Sequence, residues 1–165
     1  MAEEKINEKG KNMNIKTKLT DLGLSLPQVA APAANYVPYV ISGKMIYVSG
    51  QIPFLNGQKM HLGCIGDTLS PQEGQKAAQA CALNILAQVD HAVDGDWSKI
   101  KRCVKLGGFV NCTPEFTDQP IVINGASNLI ADVMGEAGKH ARFAVGAPSL
   151  PLGVAVEIDA IFELA

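Results

Sequence analysis

The stretch His140–Leu164, HARFAVGAPSLPLGVAVEIDAIFEL, decides the fold. Two apolar runs flank a Pro- and Gly-rich turn, the pattern of two consecutive strands. In the second run one parity is Val154, Val156, Ile158, Ala160 and Phe162. The other is Ala155, Glu157, Asp159, Ile161 and Glu163. Side chains alternate across a strand, so the first set forms a core face and the second points away from it. In the first run Phe143 and Val145 read as core. That reading turns Arg142 and Ala144 toward the face that carries Glu157.

The elements upstream supply what covers the core face. SPQEGQKAAQACALNILAQVDHAV, from Ser70, is a helix: Ser70 is its N-cap, Pro71 its first residue, and Glu73 closes a capping box. Ala78, Cys81, Ala82, Ile85, Leu86 and Val89 recur at helical spacing, and Gly95 ends the segment. TDQPIVINGASNLIADVMGEAG, from Thr117, is a second helix. Pro120 sits in its first turn, and Val122, Ala126, Leu129, Ile130 and Val133 form its apolar face. Gly125 weakens that helix, and Asn124, Ser127 and Asn128 point elsewhere.

Four further segments complete the order. VPYVISGKMIYVSGQIP (37–53) reads as a β-hairpin turning near Gly43, with Ile46 and Val48 inward and Met45, Tyr47 and Ser49 outward. A short strand is expected near Lys59–Leu62 within a glycine-bearing loop. Ile100–Asn111 is a strand whose Gly107-Gly108 pair marks a bulge or a close backbone approach. NIKTKLTDLGLSLP (14–27) forms a short helix, QVAAPAANYVPYV an extended arm, and residues 1–13 a polar, disordered tail. One domain over 14–165 follows, an α+β layer with two helices on one face of a mixed sheet.

Two helices cannot cover both sides of a five- or six-stranded sheet. A second face that mixes apolar and charged residues meets water or another subunit. The pattern therefore predicts an oligomer that buries this face. Arg142, Glu157 and Ser49 all belong to it on this parity. On pattern alone, an exposed ion pair at a strand end, worth about 0–1 kcal/mol, is the favoured account of Arg142 and Glu157.

Composition bounds the chemistry. The 165 residues are 47% hydrophobic, 18% charged and 5% aromatic, with a net charge of −2. Past residue 20 the arginines are Arg102 and Arg142, and no basic stripe or aromatic platform suits nucleic acid. Cys64, Cys81, Cys103 and Cys112 form no C-x-x-C pair, and His61, His91 and His140 lack ligand spacing, so no metal site is expected. Each cysteine reads as a small buried hydrophobe, with Cys112 singled out by its place at a strand end. No signal-peptide core and no membrane-spanning run is visible, which points to a reduced cytoplasmic protein.

With these elements placed, a family likeness emerges. VSGQIP (Val48–Pro53), the capped helix from Ser70, KLGGFVNCTPEF, the arginine strand and LPLGVAVEIDAI resemble the YjgF family over roughly residues 28–165. The family is also known as the reactive-intermediate deaminases and, in older usage, as endoribonuclease L-PSP. Arg142 and Glu157 stand fifteen positions apart with a Leu-Pro between them, as in the family.

The resemblance implies a chorismate-mutase-like fold, a homotrimer with sheets facing inward, and ligand clefts between subunits. It implies cofactor-free hydrolysis of 2-imino or enamine acids to 2-oxo acids and ammonia. Arg142 matches the residue that grips the substrate carboxylate, and Glu157 the residue that positions or activates water. Ser49 matches the serine of SGQ, Tyr39 the upstream tyrosine and Asn124 the helix asparagine, all as substrate contacts. Ala144 stands where many members carry a cysteine, and its backbone N–H can serve a ligand in the same way. His140 stands where many carry the proline of Pro-x-Arg.

Three functions are open on the sequence. The first is an imine/enamine deaminase. The second is a binding module for small carboxylates or 2-oxo acids without turnover. The third, a ribonuclease, has the charge pattern and the lack of a histidine pair against it. Outside the likeness each site residue also has a plain reading: Tyr39 a packing residue with a wet hydroxyl, Asn124 a solvated helix position, Ser49 a strand-end hydroxyl, and His140 a surface histidine.

Overall fold

The computed structural model describes residues 14–29 and 35–165. The expected tail at 1–13 and part of the arm, 30–34, lie outside the described residues.

The chain forms an α+β layer. Strands β1 (Tyr39–Ser42), β2 (Met45–Gln51), β5 (Ile100–Asn111), β6 (Ala141–Ala147) and β7 (Val156–Leu164) make one mixed sheet in the order β1-β2-β7-β5-β6. The loop expected after the first hairpin holds two short strands, β3 (Phe54–Leu55) and β4 (Gln58–Lys59), paired with each other. Helices α2 (Pro71–Ala92) and α3 (Gln119–Met134) pack side by side on one face of the sheet. Helix α1 (Ile15–Asp21) sets Ile15 and Leu19 into the same core. No described helix is long and apolar enough to cross a membrane.

The local causes match the sequence. Ser70 accepts from the Glu73 N–H, and the Glu73 carboxylate accepts from the Ser70 N–H, so both arms of the capping box are made. In β7 the residues Val156, Ile158, Ala160 and Phe162 are buried beneath the helices, and Glu157, Asp159 and Ile161 face the other way.

Gly125 has a packing reason rather than a propensity cost. A Cβ at 125 would run into the Gln75 carbonyl, so the missing side chain lets α3 close on the α2 backbone. The Gly107-Gly108 pair is a close approach and no bulge. A Cβ at 108 would lie 2.7 Å from the Ile123 side chain of α3. The register shifts of β5 fall earlier, between Ile100 and Arg102 and between Cys103 and Lys105.

One parity reading is overturned. β6 runs parallel to β5 with Leu106 opposite Arg142, Gly107 opposite Phe143 and Gly108 opposite Ala144. Leu106 is a core residue, so Arg142 and Ala144 lie on the helix side, and Phe143 and Val145 lie on the helix-free face with Glu157. The cause is that the helix-free face carries apolar side chains of its own among the charged ones. Phe143 packs edge-on against Phe109 with ring centroids 5.3 Å apart, beneath Lys105. An apolar residue in β6 therefore does not mark the core. Val40, Tyr47, Phe109 and Val145 all remain exposed on that face.

Candidate active site

The predicted residues other than Tyr39 gather into two groups on opposite faces of the sheet. Arg142 lies on β6, an edge strand, beneath the start of α3. Its Nη1 donates to the Ser127 hydroxyl at 3.0 Å and its Nη2 to the Pro120 carbonyl at 3.2 Å. The hydroxyl is shared with His140, whose Nε2 lies 3.0 Å from it, and His140 Nδ1 lies 2.6 Å from the Gly138 carbonyl. Burial, with the charge of Arg142 as a lesser cause, holds the His140 pKa below its ordinary value, against the bond to Gly138. Arg102 donates to the Lys139 carbonyl at 2.9 Å and so holds the turn that delivers His140 and Arg142 to the strand.

A guanidinium carries five N–H donors. The two bonds to Ser127 and Pro120 fix its plane and leave three donors for a ligand, enough for a two-point grip on a carboxylate. Ala144 follows on the same face, packed against the core. Asn124 is half-buried on α3 and makes no side-chain hydrogen bond among the described residues.

The second group forms around Glu157 on β7. Its carboxylate lies over Gly50, where a Cβ would collide with Oε1. Ser49, next to Gly50, donates its hydroxyl to the Val37 carbonyl at 2.7 Å. Burial first, and Asp159 second, push the Glu157 carboxyl above its ordinary value. A carboxyl shifted in that direction is better suited to exchange a proton near neutrality. Asp159 flanks Gly107 on the same face.

Tyr39 belongs to neither group. It pairs with Val48 on β1, at the edge of the sheet opposite β6, and its hydroxyl bonds His91 Nδ1 of α2 at 2.8 Å.

Within one chain Arg142 and Glu157 do not meet. They stand two strands apart and three residues out of line through β5, which is about 10 Å in each direction by ordinary strand spacing. Their side chains also leave opposite faces. The intrachain ion pair that the sequence allowed is not formed.

Ser127 is the residue that the sequence reading sent elsewhere. It lies seven positions after Pro120, two helical turns on, so both sit above the same part of β6. The signal was present, but it depends on knowing which way Arg142 points.

The cysteines divide by position. Cys81, Cys103 and Cys112 are buried, whereas Cys64, expected to be a buried hydrophobe, is half-buried; burial raises the thiols of Cys81 and Cys103, that of Cys103 to about 12. Cys112 lines a cavity of about 480 Å³ with Cys64, Phe116, Gln119 and Gly146, and Gln119 Nε2 reaches its sulfur at 3.6 Å.

Fold and sequence place the chain in a known group. Residues 16–164 match the family described as "YjgF/chorismate_mutase-like, putative endoribonuclease", and the chain belongs to it. Protein TCP17 of Trypanosoma cruzi is 50% identical over 151 residues, 91% of this chain and 94% of that one. The crystal structure of Atu1372 from Agrobacterium tumefaciens is 53% identical with a TM-score of 0.87, covering 92% of each chain. A Shewanella oneidensis protein described as a "putative endoribonuclease" is 35% identical with a TM-score of 0.87, covering 91% of this chain and 99% of that one.

Proposed function

We propose that this chain is a cofactor-free deaminase that hydrolyses 2-imino or enamine acids to 2-oxo acids and ammonia, in clefts between subunits of a cytoplasmic homotrimer. The observation that carries the reading is the Arg142 guanidinium, fixed from behind by Ser127 and Pro120 with donors left for a carboxylate. The separation of Arg142 from Glu157 supports a cleft built from two copies. One subunit offers Arg142, with Ala144 and Asn124 nearby, and its neighbour offers Ser49 and Glu157. The exposed apolar residues of the helix-free face support the association that this requires.

The chemistry needs few groups. Arg142 binds the substrate carboxylate in two-point fashion and so orients the C=N carbon. Glu157 aligns a water on that carbon and takes its proton as the C–O bond forms. The same carboxyl returns that proton to the nitrogen, giving a carbinolamine; it then takes the hydroxyl proton and passes it to nitrogen, so the C–N bond breaks and ammonia leaves as the C=O bond forms. Ser49 and the Gly50 backbone lie beside the Glu157 carboxylate, where the substrate is expected to contact them.

The test is an imine-decay assay. An amino-acid oxidase or a threonine dehydratase generates the imine, and its loss is followed with and without the chain. Acceleration that disappears in Arg142→Ala supports the reading; no acceleration by the parent chain overturns it.

A second reading, carboxylate binding without turnover, is favoured by one observation: the guanidinium anchor is fixed within the chain while Glu157 leaves the opposite face of the same sheet. Binding of 2-oxobutyrate with no imine turnover selects it. The endoribonuclease of the relatives' names is the reading that the charge pattern favours least.

A further inference from the structure

We propose that Ser127 and His140 are positioning residues that set the Arg142 guanidinium for its ligand through one oriented chain of hydrogen bonds. The inference rests on Arg142 being the carboxylate anchor and adds what holds the anchor in place.

Chemistry fixes the two ends of the chain, and a neutral imidazole then fixes the bond between them. Arginine only donates, so the Ser127 oxygen accepts from Arg142 Nη1 at 3.0 Å. The hydroxyl has one hydrogen of its own, and His140 Nε2 lies 3.0 Å away to receive it. A carbonyl only accepts, so the contact of His140 Nδ1 with Gly138 at 2.6 Å places a hydrogen on Nδ1. The sequence is therefore Arg142 to Ser127 to His140 to the Gly138 carbonyl, with each group donating to the next. It closes only for a neutral imidazole with its hydrogen on Nδ1.

Charging His140 breaks the order. Nε2 becomes a donor, the Ser127 hydroxyl hydrogen loses its acceptor, and a second cation stands beside Arg142. The surroundings do not supply a rival control. On the adjoining turn Lys139 is paired with Glu136 at 2.7 Å, and on β5 Arg102 is bonded to the Lys139 carbonyl. Lys105 of β5 lies over Phe143, on the other face of the sheet. Asp132 of α3 lines a groove with Gln75 and Asn128. Burial keeps His140 uncharged near neutrality.

The experiment has two arms on the full chain. The first is ligand-free ¹⁵N NMR of the imidazole and guanidinium groups. We expect His140 as the neutral Nδ1–H form and Arg142 with hindered guanidinium rotation, released in Ser127→Ala. An Nε2–H form, or Arg142 signals unchanged in Ser127→Ala, overturns the chain. The second is titration with 2-oxobutyrate, whose carboxyl stays ionised, from about pH 7.5 down to about pH 4.5, a range that extends well below the ordinary imidazole value because His140 is held beneath it. We expect parental affinity to fall as His140 charges. His140→Gln, which keeps an acceptor for Ser127 and cannot titrate, should hold its affinity across the range. Ser127→Ala should bind about tenfold more weakly at both ends. Equal pH dependence in the parent and His140→Gln overturns the proposal. If the parent binds no 2-oxobutyrate at all, the carboxylate-anchor reading falls, and the ligand-free spectra still decide the hydrogen-bond chain.

Discussion

The carboxylate of Glu157 fills the space above Gly50 that any other residue at position 50 would occupy. The contact ties the SGQ segment of β2 to the acid of β7, although the two lie far apart in sequence. In Gly50→Ala the new methyl must displace Glu157, whose flexible end can move without unfolding the sheet. Imine hydrolysis is then expected to fall by about 10²-fold in kcat, the scale of a misplaced catalytic group. Affinity for 2-oxobutyrate, which depends on Arg142, should stay within about twofold. Steady-state kinetics beside a binding titration checks this. A loss confined to affinity would place Gly50 in the anchor instead.

Glu157 also couples the site to stability. Its carboxyl is raised above the ordinary 4.5 by burial and by Asp159. Below that ordinary value both folded and unfolded chains are protonated there, and no penalty exists. As pH rises, the unfolded chain ionises first, so the folded state loses stability until pH passes the raised value. Glu157→Gln should therefore melt at a higher temperature than the parent near neutrality, and the difference should vanish by about pH 4. Its imine turnover should drop by about 10²–10⁴-fold. Melting curves at several pH values give the answer. A variant less stable than its parent near neutrality would contradict the assigned burial of charge.

Gly125→Ala separates propensity from packing. Alanine favours a helix by about 1 kcal/mol over glycine. The added methyl would meet the Gln75 carbonyl across the α2–α3 contact, however, and backbone cannot rotate away. Net destabilisation of about 1–3 kcal/mol is expected, the range of overpacked cores. Urea unfolding measures it, and a stabilised variant would show that the two helices are free to part.

Much of the fold was legible because local signals and burial agree. The capping box of α2 and the alternation of β7 were both written in residue types, and both hold. The face of Arg142 was not legible. In β6 the residues Phe143 and Val145 are apolar although they face away from the helices, because that face also holds apolar side chains such as Phe109 between its charged ones. Alternation identifies a core only where the opposite face is polar, and here register with β5 settles the matter. Ser127 was hidden for the same reason, since its role appears only once Arg142 is turned toward α3. Arg142, Glu157 and Ser49 are singled out as candidates by strand alternation, and the family likeness suggests their roles. Their division between two faces required the sheet.

That division yields the most direct test of the account. Arg142→Ala and Glu157→Gln chains, each inactive alone, are co-expressed with different tags so that mixed oligomers assemble. If each site takes its arginine from one subunit and its acid from the next, random assembly from equal amounts makes about one quarter of the sites intact, whatever the size of the closed ring. The account predicts recovery of imine hydrolysis to about that fraction of the parental rate. A mixed assembly no more active than its two components would contradict it.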